Sequence, residues 1–449
     1  MNPVTASIPN FFRGPPLEGD ERRTFRRHIA FALLSAAAAG LLAIAPTIAL
    51  KALAGPNWIL NFRLMFSSLG MFCTLYLGSW MSHRHKMPFI RKPGIAFGVC
   101  SLLMAVFHDP YAYMVLFGVG SIFEMVTRPP ITAVIRFNYA PQRRGKVIGE
   151  IRKWSSLVFL LANLGGASLL DWAANGAGAI GVPTMIVCLM LTVGLLDVLS
   201  FVVFSTIRVR ETDEHWRRDH KPEIAESFRE AAKVLATNRR FRGYLTGCFI
   251  FGFSGLLYTA QIKGFLSDLD LGYVQIELLA HIIPCAAQFL TTGLWGGLFD
   301  RTTPNKAWTW IRIGWGLDPI LLVAAPIVAG LLSGSVTVLM AVLVMGRLSR
   351  GGVMGGSWVL WWRVGVAHFA PPGGDTSRYM GILTFLNGVM RLGAGMISSI
   401  LVACYSTTAV LLIGGTGVVV SGLYSWRLAL KDESNKNIET IAAFEAQFD

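Results

Sequence analysis

Long apolar segments recur along the whole chain and constrain its fold more than any other feature. Most approach the length of about twenty residues that an α-helix needs to cross the hydrocarbon core of a bilayer. Six lie in the first half, at 29–53, 58–81, 94–108, 111–135, 149–170 and 182–207. Six more follow a polar stretch, at 243–266, 274–298, 306–330, 335–362, 379–404 and 406–427. The pattern predicts an all-α integral membrane protein with twelve transmembrane helices in two sets of six.

The composition agrees with a membrane protein. Of the 449 residues, 53% are hydrophobic and 15% are charged, whereas a soluble globular protein carries about a quarter charged residues. The net charge of +14 is typical of cytoplasmic loops that face anionic lipid, so we do not expect nucleic-acid binding. The first apolar segment follows a basic tail, but it is too long for a cleaved signal and is interpreted as the first helix.

The distribution of basic residues predicts the topology. Most of the 40 lysines and arginines fall in tails and loops on one side of the predicted membrane, while the other side holds only Lys51 and Lys263. This bias places both termini in the cytoplasm, in a multi-pass protein of the inner (plasma) membrane. From Pro222, apolar residues recur at helical spacing and predict an amphipathic helix in the linker. The predicted domains are a tail, a bundle, a linker, a second bundle and a tail, at 1–28, 29–207, 208–242, 243–427 and 428–449.

A polar turn ends the eighth apolar segment. The sequence Gly296-Gly297-Leu298-Phe299-Asp300-Arg301 resembles the Gly-x-Leu-x-Asp-Arg turn of the major facilitator superfamily, which joins two transmembrane helices on the cytoplasmic side. The corresponding turn of the first half has a serine where the aspartate is expected. The resemblance therefore implies a cytoplasmic gate that depends mainly on the second-half aspartate. The candidate gate residues are Gly296, Leu298, Asp300, Arg301, Gly78, Ser82 and Arg84.

The resemblance covers residues from about 25 to 430 and implies the fold of this superfamily, two pseudo-symmetric six-helix bundles. It also implies secondary active transport of a small solute by alternating access, by a monomer in the lipid bilayer. The sequence contains no ATPase phosphate-binding loop and no hydrolase motif, so we do not expect an enzyme. We expect no cofactor or metal, because the six cysteines are scattered singly within apolar segments.

Charged residues inside the spans are candidates for the solute site, because a charge in the bilayer core is costly unless it is paired or hydrated. Arg347 and Arg350 lie on one face of the tenth span, and no acid is nearby in the sequence. Guanidinium groups bind carboxylate and phosphate, so the pair favours an organic or phosphate-bearing anion. The alternative is that Arg350 or Arg391 binds helix carbonyls or the cytoplasmic gate. The other cavity candidates are Glu124, Arg128, Arg391, Asn387, Tyr258, Gln261, Asn163 and Arg63.

Two pairs of titratable residues are candidates for coupling. Glu124 and Arg128 are four residues apart, so they can neutralise each other, either as a structural pair or as one opened by a solute or proton. Glu277 and His281 share a helix face and form a candidate proton relay, to which Glu124 could also contribute. The alternative for Glu277 is an acid of the first turn that the helix dipole favours.

Two further acids, Asp197 and Asp318, lie in the sixth and ninth spans. These are outer helices in the superfamily, so we expect structural bonds, and Arg312 is a candidate partner of Asp318.

The leading hypothesis is a transporter driven by a proton or ion gradient. One alternative is a transporter-like receptor or assembly factor, which only the altered first-half motif supports. Another is a drug or metabolite exporter, although the fifth span lacks the Gly-Pro motif usual in drug antiporters.

Overall fold

The computed structural model describes residues 19–82, 85–139, 141–176, 180–209, 224–299, 302, 304–332, 334–359 and 376–445. Within these ranges, ten helical segments are long and apolar enough to cross a membrane. Two further helices of 21 and 18 residues complete the twelve predicted spans. The all-α membrane fold predicted from the sequence is confirmed.

The helices of the first half follow the predicted spans closely. They are α1 (Gly19–Leu42), α2 (Ala45–Lys51), a 3-10 helix (Asn57–Asn61), α3 (Phe62–Ser82), α4 (Met87–Met104), α5 (Pro110–Asn138), α6 (Pro141–Ala174) and α7 (Val182–Ser205). α1 begins well before the predicted residue 29, because polar residues of the tail continue the helix beyond its apolar part.

The second half repeats this arrangement after a short additional helix. Its helices are α8 (Ile224–Thr237), α9 (Arg239–Thr259), α10 (Ile262–Asp268), α11 (Tyr273–Glu277), a π turn (Leu278–Ile282), α12 (Ile283–Phe299), α13 (Pro304–Leu331), α14 (Val336–Val359), α15 (Thr376–Cys404) and α16 (Thr407–Glu445). α8 is the helix predicted in the linker. α16 continues far beyond the predicted residue 427, so much of the expected C-terminal tail is helical.

The chain divides into two compact units. Unit 1 comprises Met1–Ala54 and Gly70–Lys221, and unit 2 comprises Gly55–Leu69 and Pro222–Asp449. The segment 55–69 therefore packs with the second half of the chain, although α3 continues from it into unit 1. Within unit 2, Asn61 Nδ2 donates to Ser399 Oγ over 3.1 Å, and Ser399 Oγ donates to the Trp58 carbonyl over 3.1 Å.

Small residues allow close helix packing in unit 1. A Cβ atom added to Gly40 of α1 would lie 2.4 Å from the Phe159 carbonyl oxygen of α6, so only glycine fits there. At the same contact, Asn163 Nδ2 donates to the Gly40 carbonyl oxygen over 3.1 Å. Close approach and interhelical hydrogen bonds are the usual means of helix association in a membrane.

The core of unit 2 is built mainly from α9, α13, α14 and α16. Its largest fully buried side chains include Trp308, Tyr244, Tyr258 and Phe241. A Cβ atom on Gly346 of α14 would lie 3.2 Å from the Asp318 carbonyl oxygen of α13. This approach brings the charged residues of α13 and α14 within reach of one another.

Candidate functional site

Arg347 is fully engaged inside unit 2. It is 1% exposed, and its Nη1 lies 2.7 Å from both carboxylate oxygens of Asp318. Its Nε donates to the Leu279 carbonyl oxygen over 2.6 Å, and its Nη2 donates to the Ala280 carbonyl oxygen over 3.2 Å. The sequence-based expectation that this arginine is unpaired is therefore wrong, because α13 supplies an acid 29 residues away in the chain.

The π turn explains why the carbonyl oxygens of α11–α12 are available to Arg347. At its end, the Ile283 N–H bonds to the Leu278 carbonyl oxygen, five residues back rather than four. Such turns break the regular α-helical hydrogen-bond pattern and are frequent at functional sites. The Leu279 and Ala280 carbonyl oxygens accept from the guanidinium.

Arg350 lies beside Arg347 but is only partly engaged. Its Nη1 is 3.5 Å from Asp318 Oδ2 and has no hydrogen-bond partner among the described residues. Its Nη2 lies 3.4 Å from Thr259 Oγ1. The guanidinium carbon sits 5.1 Å from the ring centroid of Trp315 and 5.9 Å from that of Tyr258. Aromatic rings of this kind attract a cation through their π faces.

Two arginines thus share one carboxylate, and the cluster carries one net positive charge. Asp318 is 0% exposed and Arg350 is 8% exposed, so water screens this charge poorly. The Nε1 atom of Trp315 is also buried, with no hydrogen-bond partner in the described part of the chain. The site therefore presents a buried cation and donors without acceptors, which suits one anionic group.

The predicted pairing of Asp318 with Arg312 is wrong. Asp318 is bound by the arginines of α14. Arg312 Nη1 donates instead to the Ser421 carbonyl oxygen over 3.1 Å and to Ser425 Oγ, and its Nη2 lies 3.7 Å from Cys248 Sγ. Arg312 therefore links α13 to α9 and α16. Helix rotation explains the difference, since Arg312 and Asp318 are six residues apart and point to different neighbours.

A second charged cluster surrounds Glu277. This residue is 0% exposed. Its Oε1 accepts a hydrogen bond from Lys263 Nζ, and its Oε2 lies 3.8 Å from His281 Nε2. The two relay candidates are thus brought together, with Lys263 as the main partner of the carboxylate.

Sequence reasoning missed Lys263 because it was counted only among the basic residues on the side of the membrane opposite the basic loops. The structure instead places it in α10, 7% exposed. A lysine inside the predicted span 243–266 was a signal that could have identified it.

The predicted pair in unit 1 is confirmed as an ion pair. Arg128 Nη2 lies 2.6 Å from Glu124 Oε1, with side-chain exposures of 55% and 23%. Asp197 of α7 is 1% exposed, and its Oδ2 has no hydrogen-bond partner within the ranges that the structure describes. The structural bond expected for Asp197 is therefore not made by this oxygen.

The remaining cavity candidates are distributed over several helices. Arg391 Nη1 lies 3.3 Å from Ser67 Oγ, and Asn387 is buried nearby on α15. Gln261 is 0% exposed, and neither polar atom of its side chain has a partner among the residues described. Tyr258 donates to the Trp315 carbonyl oxygen over 3.4 Å. Asn163 belongs to the α1–α6 contact of unit 1, and Arg63 acts electrostatically on Lys263 in unit 2.

The gate motif lies only partly in the described structure. Asp300, Arg301 and Arg84 fall outside the described residues, so the gate remains a prediction. The other members occupy the ends of α3 and α12: Gly78, Ser82, Gly296 and Leu298.

Comparison of the sequence with models of protein families identifies a family that it matches. The profile described as Major Facilitator Superfamily matches residues 27–395. No curated protein matches the chain.

Among solved structures, a point mutant of the nucleoside transporter NupG is similar with a TM-score of 0.66 and 14% identity, covering 91% of this chain and 99% of that one. A point mutant of the peptide transporter POT is similar with a TM-score of 0.65 and 14% identity, covering 95% and 98%. A bacterial homologue of the iron transporter ferroportin is similar with a TM-score of 0.63 and 14% identity, covering 91% of this chain and 98% of that one.

Proposed function

Because the chain belongs to the major facilitator superfamily and is a multi-pass membrane transporter rather than an enzyme, we propose that it carries a small anionic solute. The solute bears a carboxylate or phosphate group and crosses the inner membrane by alternating access, coupled to a proton or ion gradient. Both termini face the cytoplasm in this proposal, because the basic loops and tails share one side.

The single observation that carries the anion proposal is the state of Arg350. Its guanidinium is buried and shares the Asp318 carboxylate with Arg347. Its Nη1 has no hydrogen-bond partner among the described side chains and backbone groups. Leaving such a donor unsatisfied costs free energy that a bound carboxylate or phosphate recovers. Trp315 offers a second unsatisfied donor at the ring over which the guanidinium lies.

The structure changes the role that we assign to Arg347. All three of its nitrogens are occupied by Asp318 and by the π turn. We therefore propose that Arg347 holds Asp318 in place and that Arg350 alone receives the anionic group. One net positive charge favours a solute that presents a single negative charge at this point.

The fold itself does not choose the solute. The similar structures are named as transporters of nucleosides and peptides and as a homologue of an iron transporter. The choice must come from side chains of this chain, and the Arg350 cluster is the strongest candidate among the described residues.

The proposal is tested by the thermal stability of the detergent-purified protein with a panel of ligands. The panel contains monocarboxylates, dicarboxylates, phosphate monoesters, cations and neutral metabolites. A ligand that binds only the folded protein adds about 2.7 kcal/mol at a hundred times its dissociation constant. We expect one anion class to stabilise the wild type and to lose this effect in Arg350→Gln.

Arg239→Gln is the matched control, because it removes an exposed arginine at the start of α9 that is not a candidate for the site. It should leave the ligand response unchanged. Equal stabilisation of wild type and Arg350→Gln would contradict the proposed site. A flat response to all anions would favour the receptor or assembly-factor alternative, and a response to cations or neutral drugs would favour the exporter.

A further inference from the structure

The ion pair of Glu277 and Lys263 is a costly arrangement for a membrane protein. Glu277 is 0% exposed and Lys263 is 7% exposed. Each charge depends on the other, because breaking a buried pair leaves one charge uncompensated. A carboxylate left in apolar surroundings without a counter-charge takes up a proton. We therefore expect two states of the pair. In one, Glu277 and Lys263 are both charged and in contact; in the other, they are separated and Glu277 is protonated.

Polar and charged groups of the same segment and of neighbouring helices surround this pair. Lys263 of α10 contacts the carboxylate directly, and His281 lies 3.8 Å from it on the same helical segment. Arg63 of α3 and Arg347 of α14 act electrostatically on His281. In the observed arrangement the direct partner of Glu277 is thus the Lys263 ammonium, which matches an ionised carboxylate.

The position of Glu277 in the helix connects the pair to the arginine cluster. Glu277 immediately precedes the π turn. Arg347 donates to two carbonyl oxygens of that turn and holds Asp318 with its remaining nitrogen. Asp318 in turn lies beside Arg350. Direct contacts therefore run from Lys263 to the guanidinium to which the solute is assigned.

A change of the π turn to regular α-helix would alter both ends of this chain of contacts. It would shift the hydrogen-bond register by one residue, which corresponds to a rotation of about 100° around the helix axis. The rotation would move Glu277 away from Lys263. It would also withdraw the Leu279 and Ala280 carbonyl oxygens from Arg347.

We propose that Glu277 is a proton-binding site whose exchange between a Lys263 ion pair and a protonated acid is linked through the π turn to Arg347, Asp318 and Arg350. The proton comes from water and binds a Glu277 oxygen, while Lys263 keeps its own proton. The consequence for solute coupling rests on the proposed function, but the proton site itself does not.

Modification by dicyclohexylcarbodiimide tests the site without any solute. This apolar reagent reacts with protonated carboxyl groups, and peptide mass spectrometry locates the product. A neighbouring cation makes a carboxylate about 10- to 1,000-fold harder to protonate. Removing the cation in Lys263→Met should therefore raise labelling of Glu277 at neutral pH at least about tenfold. Lys263→Arg keeps the counter-charge and should label like the wild type. Equal labelling of Lys263→Met and wild type would overturn the proposal.

Hydrogen exchange tests the link to the π turn and covers the case in which Lys263→Met fails to fold. Glu277→Gln mimics the protonated acid and loses the ion pair with Lys263 that holds the π turn in place. The hydrogen bonds of the turn should then open more often as the register changes, so amides of the segment 278–283 should exchange several-fold faster than in the wild type. Glu150→Gln, which neutralises an acid of unit 1 outside the relay candidates, is the control and should leave this segment unchanged. Unaltered exchange in Glu277→Gln would show that the protonation state of Glu277 is not linked to the π turn.

Neither measurement uses a solute. A flat ligand response would therefore count against the anion proposal alone, and unchanged labelling and exchange would count against the proton site alone.

Discussion

At the scale of single residues, two buried arginines on one helix face, Arg347 and Arg350, differ in their hydrogen bonds and therefore in the roles that we propose for them. Arg347 has an acceptor for every nitrogen, whereas Arg350 keeps a donor without one among the described residues. A completely satisfied buried group mainly maintains structure, and an unsatisfied one is a place where a ligand can bind. The same reasoning makes Asp318 essential, because it is the acid between the two guanidinium groups.

We expect Asp318→Asn to destabilise the protein by about 3–5 kcal/mol, since it leaves buried arginines uncompensated. Unfolding by sodium dodecyl sulfate in mixed micelles measures the loss. Adding Arg347→Gln to Asp318→Asn should restore part of the stability. Glu124→Gln is the control and should cost less, because its partner Arg128 is 55% exposed and is not left as a buried uncompensated charge. Strictly additive losses in the double variant would show that the two residues do not depend on each other.

At the scale of helices, glycine determines how closely two segments can pack. The α1–α6 contact in unit 1 combines Gly40, the Phe159 carbonyl group and the hydrogen bond from Asn163. Gly165 also lies on α6, but a Cβ atom there would meet no described atom within 4 Å. These positions provide a matched pair for testing the packing.

Gly40→Ala should destabilise the protein by about 1–3 kcal/mol, because the added Cβ atom forces the helices apart. Gly165→Ala should have no destabilising effect. Thermal unfolding in detergent measures both. If Gly40→Ala were as stable as Gly165→Ala, the α1–α6 contact would be looser than the structure shows.

At the scale of the whole molecule, charge outside the membrane predicts the topology. Alkaline phosphatase fused after Ala54, next to Lys51, should be active, because that loop faces the periplasm in the predicted topology. The same enzyme fused after Thr237, at the end of the basic linker, should be inactive. Green fluorescent protein at the second position should fluoresce. Phosphatase activity at the linker would reverse the predicted orientation.

Much of this molecule could be predicted from local sequence. The twelve spans and the linker helix correspond to helices of the structure, and the superfamily inferred from one polar turn is the one whose profile matches. Glu124 and Arg128 were also paired correctly, because four residues in a helix bring two side chains onto one face. Errors arose wherever a partner lay on another helix, as for Arg312, Arg347 and Lys263.

The sequence by itself determined that the chain spans a membrane and which superfamily it belongs to, since apolar length, charge bias and a short motif are local properties. Only the tertiary structure decided which acid neutralises which base. Asp318 and Arg347 are 29 residues apart, and Lys263 and Glu277 are 14 apart on separate helical segments. Their pairing depends on the rotation and depth of each helix in the packed unit. Hydrophobic periodicity leaves those variables open, and interhelical packing sets them.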